Sequence, residues 1–232
     1  NPSLVGSEMC IRDRLETAIT PNMDFLAKKG IRFTNAYSQY ANCAPSRQSL
    51  FSGLSPVRGG RGGNLNQYLK DNIQVSMPNH FNQNGYQTTS LGKVYHGSKD
   101  DRKSWDYFYD IPFEKGVHPW ESYGSIKNQQ IKNKSNRPAV EIGEESLSKF
   151  NDYMISIEAM KMMEKLKEYP FFMVVGFRKP HLPFAAPKQF WDMYQRDQFK
   201  SSNYQNAPVI GDTIVYQWSE LSSYSPYANS YK

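Results

Sequence analysis

Seven consecutive residues without a polar side chain, Phe171-Phe172-Met173-Val174-Val175-Gly176-Phe177, constrain this chain more than any other stretch. A short apolar run rich in β-branched and aromatic residues suits a strand covered on both faces, which is the position of a strand inside a parallel sheet. The segment before it, Glu144 to Lys167, is the longest helical pattern. Ile155, Ala159, Met162 and Leu166 fall on one stripe at spacings of four, three and four. The methionines there are read as core, and Tyr169-Pro170 ends the helix. A helix that feeds a buried strand is the repeating unit of an α/β sheet with crossover helices.

Upstream the same alternation recurs. Thr20-Pro21-Asn22-Met23-Asp24 supplies a capping hydroxyl, a proline at the first helical position and an acid in the first turn, and Lys28, Lys29 and Gly30 close that helix. Ile31 to Tyr37 alternates and reads as a strand. Ser76 to Asn84 reads as a helix stopped by Gly85, followed by a strand from Tyr86 to Leu91. Ser98 to Arg137 is polar and irregular, with aromatic knots at Trp105 to Tyr109 and at Trp120, and is read as loops shaping a cleft. Arg58 to Gly63 is a glycine-rich loop without the lysine pattern of a phosphate-binding loop.

With 232 residues, 38% of them hydrophobic, the chain is long enough for one substantial core. Its net charge of +6 is spread without a dense basic run, which suits an anionic ligand and does not call for nucleic acid. Two cysteines, Cys10 and Cys43, supply neither a disulfide framework nor a metal cluster. No run is long and apolar enough to span a membrane. Residues 1–14 fit nothing downstream, resemble translated adaptor sequence and are set apart from 15–232. Cys43 is then the one thiol.

Asn42-Cys43-Ala44-Pro45-Ser46-Arg47 places that thiol at the start of a helix that Pro45 favours and Gly53 stops. Free backbone N–H groups and the helix dipole favour an anion there, and Arg47 lies one turn on. Two further segments carry matching chemistry. Gly92-Lys93-Val94-Tyr95-His96-Gly97 follows one expected strand, and Arg178-Lys179-Pro180-His181-Leu182-Pro183-Phe184 follows another. In α/β sheets, ligands bind beyond the carboxyl ends of the strands, so cations, imidazoles and a thiol are expected at one edge.

The Cys-x-Pro-x-Arg order, with Ser46 in the middle, resembles the signature of the type I sulfatases. "TPNMDFLAKKGIRFTNAYS" resembles the run that precedes their cysteine, and Gly92 to His96 resembles their Gly-Lys-x-x-His loop. Lys179 to Phe184 resembles the Lys-Pro-His-x-Pro-Phe loop of iduronate-2-sulfatase-like members, the branch to which the chain looks closest. The likeness covers roughly Thr20 to Tyr194 in the family's order. It implies an alkaline-phosphatase-like α/β sandwich with a largely parallel central sheet, of which 15–232 is the N-terminal part of the catalytic domain. It also implies a sulfuric ester hydrolase acting on a sulfated sugar or polysaccharide.

Carried over residue by residue, the resemblance makes Cys43, oxidised to formylglycine by a formylglycine-generating enzyme, the nucleophile and one ligand of a divalent ion, calcium by preference. Arg47 would hold the aldehyde hydrate, Lys93 would bind sulfate oxygens, and His96 would act as base in the second step. His181 would contact sulfate or protonate the leaving oxygen, and Lys179 would bind an acidic sugar or point to solvent. The family's paired aspartates and later metal ligands have no counterpart in the 232 residues, so the chain alone is expected to be inactive. The family works in the periplasm, outside the cell or in lysosomes. Two other readings stand beside this one: a phosphonate or phosphodiester hydrolase of the same superfamily, and a non-catalytic module binding anionic polysaccharide or RNA.

Overall fold

The computed structural model describes residues 18–33, 35–40, 42–56, 75–96, 101–110, 123–199 and 220–226. Helices α1 (Pro21–Lys29), α2 (Cys43–Ser52) and α3 (Met77–Gln83) come first, followed by strands β1 (Gln87–Gly92) and β2 (Tyr107–Tyr109). A short helix α4 (Ile126–Gln129), strand β3 (Val140–Gly143), the long helix α5 (Asn151–Leu166), strands β4 (Phe171–Gly176) and β5 (Phe184–Pro187) and a short helix α6 (Lys188–Trp191) complete the order. Strands β2, β1 and β4 form one sheet with β1 in the middle, and β3 pairs with β5 in a second. Every one of these pairings is parallel, as the alternation of helix and strand patterns implies.

The two faces of the larger sheet are built from opposite parities of β4. Met173 packs with Leu91 against the α5 stripe, where Ile155, Ala159, Met162 and Leu166 are all buried as the spacing predicts. Phe172 and Val174 face the other way, onto Phe51 of α2, Val94, Tyr95 and Trp105. Each large side chain fully buried in this way contributes about 1.5–3 kcal/mol. Strand β1 is polar yet buried, and the Thr88 hydroxyl is bonded there while the Ser90 hydroxyl has no partner. Thr88 Oγ1 lies 2.9 Å from both the Ser104 carbonyl and Asp106 Oδ2 and donates its one proton to one of them, which ties β1 to the turn before β2.

Four expectations need correction. β4 is the outer strand of its sheet among the described residues, and Phe171 and Val175 are about a third exposed, so the apolar run is not covered on both faces here. Residues 31–33 and 35–37 form no strand, and Ile31, Phe33 and Tyr37 are largely exposed, since no described strand lies beside them to take up their hydrogen bonds. The long helix begins at Asn151, not Glu144, because Gly143 to Phe150 is a turn leading out of β3. Tyr107 to Tyr109, read as part of a loop, pairs with Thr89 to Leu91. Arg58 to Gly63 and Trp120 lie outside the described residues.

The sheet ends at its carboxyl edge on two facing glycines, Gly92 of β1 and Gly176 of β4. Gly92 has φ 72, and a Cβ there would stand 2.5 Å from the Gly176 carbonyl oxygen and 2.5 Å from Ile155 Cδ1. A Cβ on Gly176 would meet the Lys93 carbonyl oxygen at 2.1 Å. Lys93 N donates to the Gly176 carbonyl at 2.7 Å, so the backbones touch where both strands turn into the loops that follow. Gly176→Ala is expected to cost about 3 kcal/mol or more, since backbone must move to admit the methyl. Urea unfolding checks this; an unchanged midpoint would contradict the close approach.

Candidate active site

Helix α2 opens on Cys43, with Asn42 as the N-cap whose side-chain oxygen accepts from Ala44 N, and closes at Gly53 in the left-handed region with its N–H on the Ser49 carbonyl. This is the local structure expected from Asn42, Pro45 and Gly53. Arg47, one turn into the helix, does not extend freely. Its Nη1 donates to the carbonyls of Lys93 at 2.6 Å and Val94 at 3.0 Å, clamping the loop that leaves β1 onto α2. The same loop is tied from the other side by Tyr95, whose hydroxyl donates to Asp101 Oδ2 at 3.0 Å, while Ser76 Oγ donates to the same oxygen at 2.6 Å.

That double fixation brings Lys93 and His96 to Cys43. Burial pushes the Cys43 thiol up, but a hydrogen bond with His96 and the positive charges of Lys93, His96 and Arg47 outweigh it and hold it below the ordinary thiol value. Burial pushes Lys93 down; the Cys43 and Glu220 charges oppose this, while Arg47 and Arg178 add to it. Lys93 is only 5% exposed. A half-buried thiol held toward its anionic form by an imidazole, an ammonium and a guanidinium is a place built to receive negative charge.

The loop leaving β4 joins this group. His181 is buried enough to lose proton affinity; the Leu182 carbonyl raises it, Lys93 lowers it, Glu220 raises it and Lys179 lowers it again. The Lys93 charge thus reaches both Cys43 and His181. His181 Nδ1 lies 2.7 Å from the Leu182 carbonyl, an acceptor only, so Nδ1 carries the proton, and Nε2 lies 3.8 Å from Glu220 Oε2. Lys179 turns inward: its Nζ donates to the Pro183 carbonyl at 2.5 Å and reaches the His181 carbonyl at 3.5 Å. Burial takes its pKa down to about 8, although Asp152 and Glu141 pull it up.

A cavity of about 220 Å³ opens beside this group, lined by Arg47, Lys93, Arg178 and Lys179 over the apolar floor of Phe51 and Val174; Cys43, His96 and His181 do not line it. No carboxylate lines it, so it suits an anion. Residue order assigns Arg178 no role. It is 4% exposed, and its Nη2 pairs with Asp110 Oδ1 at 2.9 Å. Its only sequence signal is that it precedes Lys179.

The charges around Cys43 do not fit a calcium ion. They are positive, and among the described residues no three His, Cys, Asp or Glu side chains group to hold a metal. Oxygen donors beyond those described would be required. Among the described residues, no helix is long and apolar enough to cross a membrane.

Comparison with known proteins identifies the family. The Sulfatase family profile matches residues 8–232. Iduronate 2-sulfatase of Mus musculus is 34% identical over 221 residues, covering 91% of this chain and 40% of the mouse protein. Its Homo sapiens counterpart is 31% identical over 196 residues, covering 80% of this chain and 34% of the human protein. The chain thus spans well under half the length of these relatives. A solved Bacteroides thetaiotaomicron structure, described for glycosaminoglycan metabolism, superposes with a TM-score of 0.52 at 22% identity over 74% of this chain and 48% of its own, which bears on the fold alone. On the reach of the family match and the identity to two iduronate 2-sulfatases, this chain belongs to the sulfatase family, with that family's α/β fold.

Proposed function

We propose that residues 15–232 are the N-terminal part of a sulfatase catalytic domain, and that the complete gene product hydrolyses a sulfate ester on a sulfated sugar or polysaccharide. The observation that carries this reading is the Arg47 clamp, which bonds the Lys93 and Val94 carbonyls at 2.6 and 3.0 Å and so holds the Lys93 loop against the helix that begins at Cys43, with His96 hydrogen-bonded to Cys43. A sulfate monoester is a poorly electrophilic anion, so its cleavage needs a held nucleophile and positive charge around the sulfuryl oxygens. The Sγ of Cys43 stands where the two hydroxyls of a formylglycine hydrate would stand: one would bond to sulfur as the bond from sulfur to the alcohol breaks, and loss of the other's proton would re-form the aldehyde and release sulfate. Formylglycine-generating enzyme is the maturation partner this requires.

This chain's own residues then divide the work. Lys93 holds sulfuryl oxygens. Arg47 fixes the Lys93 backbone and adds charge. His96, already bonded at Cys43, takes the hydroxyl proton. His181 presents Nε2 to the leaving oxygen, and its lowered proton affinity makes it a ready donor once protonated. Lys179 closes the loop that carries His181, and its ammonium is the group we assign to an acidic sugar. The names of the mammalian relatives support a sulfated uronic acid as substrate class. The described residues do not by themselves hold the divalent cation, calcium by preference, that the family resemblance implies; oxygen ligands from outside them would be needed, and no step is derived through it.

Parallel assays of an aryl sulfate and an aryl phosphonate ester on the complete gene product test this reading. Sulfate turnover at least tenfold above phosphonate turnover is expected. The reverse order would transfer the site to the phosphonate hydrolases, and turnover of neither, with an unmodified Cys43, would favour a binding module. The 232-residue chain alone is expected to turn over neither ester.

A further inference from the structure

We propose that Asp152 is a positioning residue for this site: its two carboxylate oxygens accept the backbone N–H groups of Arg178 and Lys179 and so hold the turn that presents Lys179 and His181 to Lys93. The inference rests on the hydrolase reading above and names a residue outside it. Asp152 Oδ1 accepts from Arg178 N at 2.7 Å, and Oδ2 accepts from Lys179 N at 3.0 Å. An acid in a helix's first turn ordinarily serves its own helix terminus. Here both oxygens are given to another segment, and Phe150, the N-cap of α5, contributes no side-chain bond.

The turn is closed on itself beyond that point. His181 N donates to the Arg178 carbonyl at 3.0 Å, and Lys179 Nζ donates to the Pro183 carbonyl. Its orientation relative to the sheet is therefore set by its attachments: the chain leaving β4, the Asp110 carboxylate on Arg178, and Asp152. Helix α5 is itself anchored by Ile155, fully buried against Leu91, so the carboxylate is held on a rigid base. Two charge-assisted bonds from one carboxylate fix both position and direction of the turn.

The Asp152 charge also acts on Lys179. Burial lowers Lys179 to about 8, Asp152 and then Glu141 raise it, and Arg178 and Lys93 lower it. Removing the Asp152 charge lowers the amine further, so the pH range over which Lys179 is cationic shrinks from its alkaline side. Asp152→Asn keeps the volume but turns an amide N–H₂ toward one of the two donors.

The test uses the complete gene product after maturation. In D152N, kcat/KM is expected to fall about 10- to 100-fold with the alkaline limb of its pH profile moved to lower pH, while the thermal midpoint stays within a few degrees. D152E, which keeps the charge on a longer arm, is expected to lose kcat/KM with the limb unmoved, and serves should D152N not fold. A folded D152N with wild-type kcat/KM and pH profile overturns the proposal, as does a loss matched by the unfolded fraction with the limb unmoved. Should the wild-type protein hydrolyse no sulfate ester, the functional reading fails separately. Amide hydrogen exchange at Arg178 and Lys179 then decides: faster exchange in D152N supports the brace, and unchanged exchange overturns it.

Discussion

Cys43→Ser in the complete, matured gene product is expected to release no more than one equivalent of alcohol from an aryl sulfate and then stop. Steady-state turnover falls on the order of 10⁴-fold or more. The serine oxygen would attack sulfur and expel the alcohol, leaving a serine sulfate ester. That carbon bears a single oxygen, so no second hydroxyl can collapse to a carbonyl and eject sulfate. The site would still bind the anion, because Lys93, His96 and Arg47 are unchanged around position 43. Burst kinetics with a chromogenic aryl sulfate check this, and sustained multiple turnover by the serine variant would contradict it. Cys43→Ala lacks the attacking atom and is expected to show no burst.

Arg47→Ala has the next largest effect, because it acts on stability and on the site together. Arg47 Nη1 is a donor to the carbonyls of both Lys93 and Val94, residues only 5% and 2% exposed. Its loss leaves two buried acceptors without that charged donor, a penalty of about 2–4 kcal/mol. For a domain of this size that lowers the melting midpoint by roughly 5–15 °C. The loop from Gly92 to His96 would also lose its tie to α2, and with it the placement of Lys93 against Cys43. A fall in kcat/KM of about 10²–10³-fold is expected at temperatures where the variant is folded. Arg47→Lys keeps a charge but is a point donor on a flexible stem, and is expected to recover only part of both losses. Calorimetry and steady-state kinetics on the same preparations check the pair. A variant with wild-type stability would mean that the clamp is not made.

Much of this site can be read from residue order because its carriers sit at element boundaries. Asn42, Pro45 and Gly53 specify where α2 begins and ends, which puts Cys43 at its first turn. Ser76 caps α3, its side chain accepting from Asn79 N at 3.3 Å, as its place before Met77-Pro78 suggests. The stripe from Ile155 to Leu166 names its own buried face. From parallel strands with adjacent carboxyl ends, Lys93 and His181 follow to one edge. Strands β2, β3 and β5 were not legible in this way. They are three to four residues long, and β3 alternates exposed with buried positions around a charged Glu141. Glu141 is buried because it accepts from Gly124 N, Ser125 Oγ and Asn128 Nδ2, bonds that no local pattern announces. Asp152 escaped for the same reason: its partners lie 26 and 27 residues away. Ile31 to Phe33 failed in the opposite direction, since alternation predicts a strand only where a neighbour exists to pair with it.

The inward turn of Lys179 also lay beyond the sequence. Residue order leaves a lysine beside a proline to bind an acidic sugar or point to solvent; here its ammonium donates to the Pro183 carbonyl and comes within 3.5 Å of the His181 carbonyl. Its lowered pKa of about 8 follows from that burial, and it predicts alkaline loss of activity before any ordinary lysine would titrate.

Position 43 decides whether this site can turn over a sulfate ester. The most direct measurement is the rate of aryl sulfate hydrolysis by the complete gene product, expressed with and without a formylglycine-generating enzyme, with the peptide containing Cys43 weighed from each preparation. Turnover that tracks the fraction of Cys43 converted to the aldehyde is the predicted result. Equal rates from converted and unconverted protein, or full conversion without turnover, would contradict it.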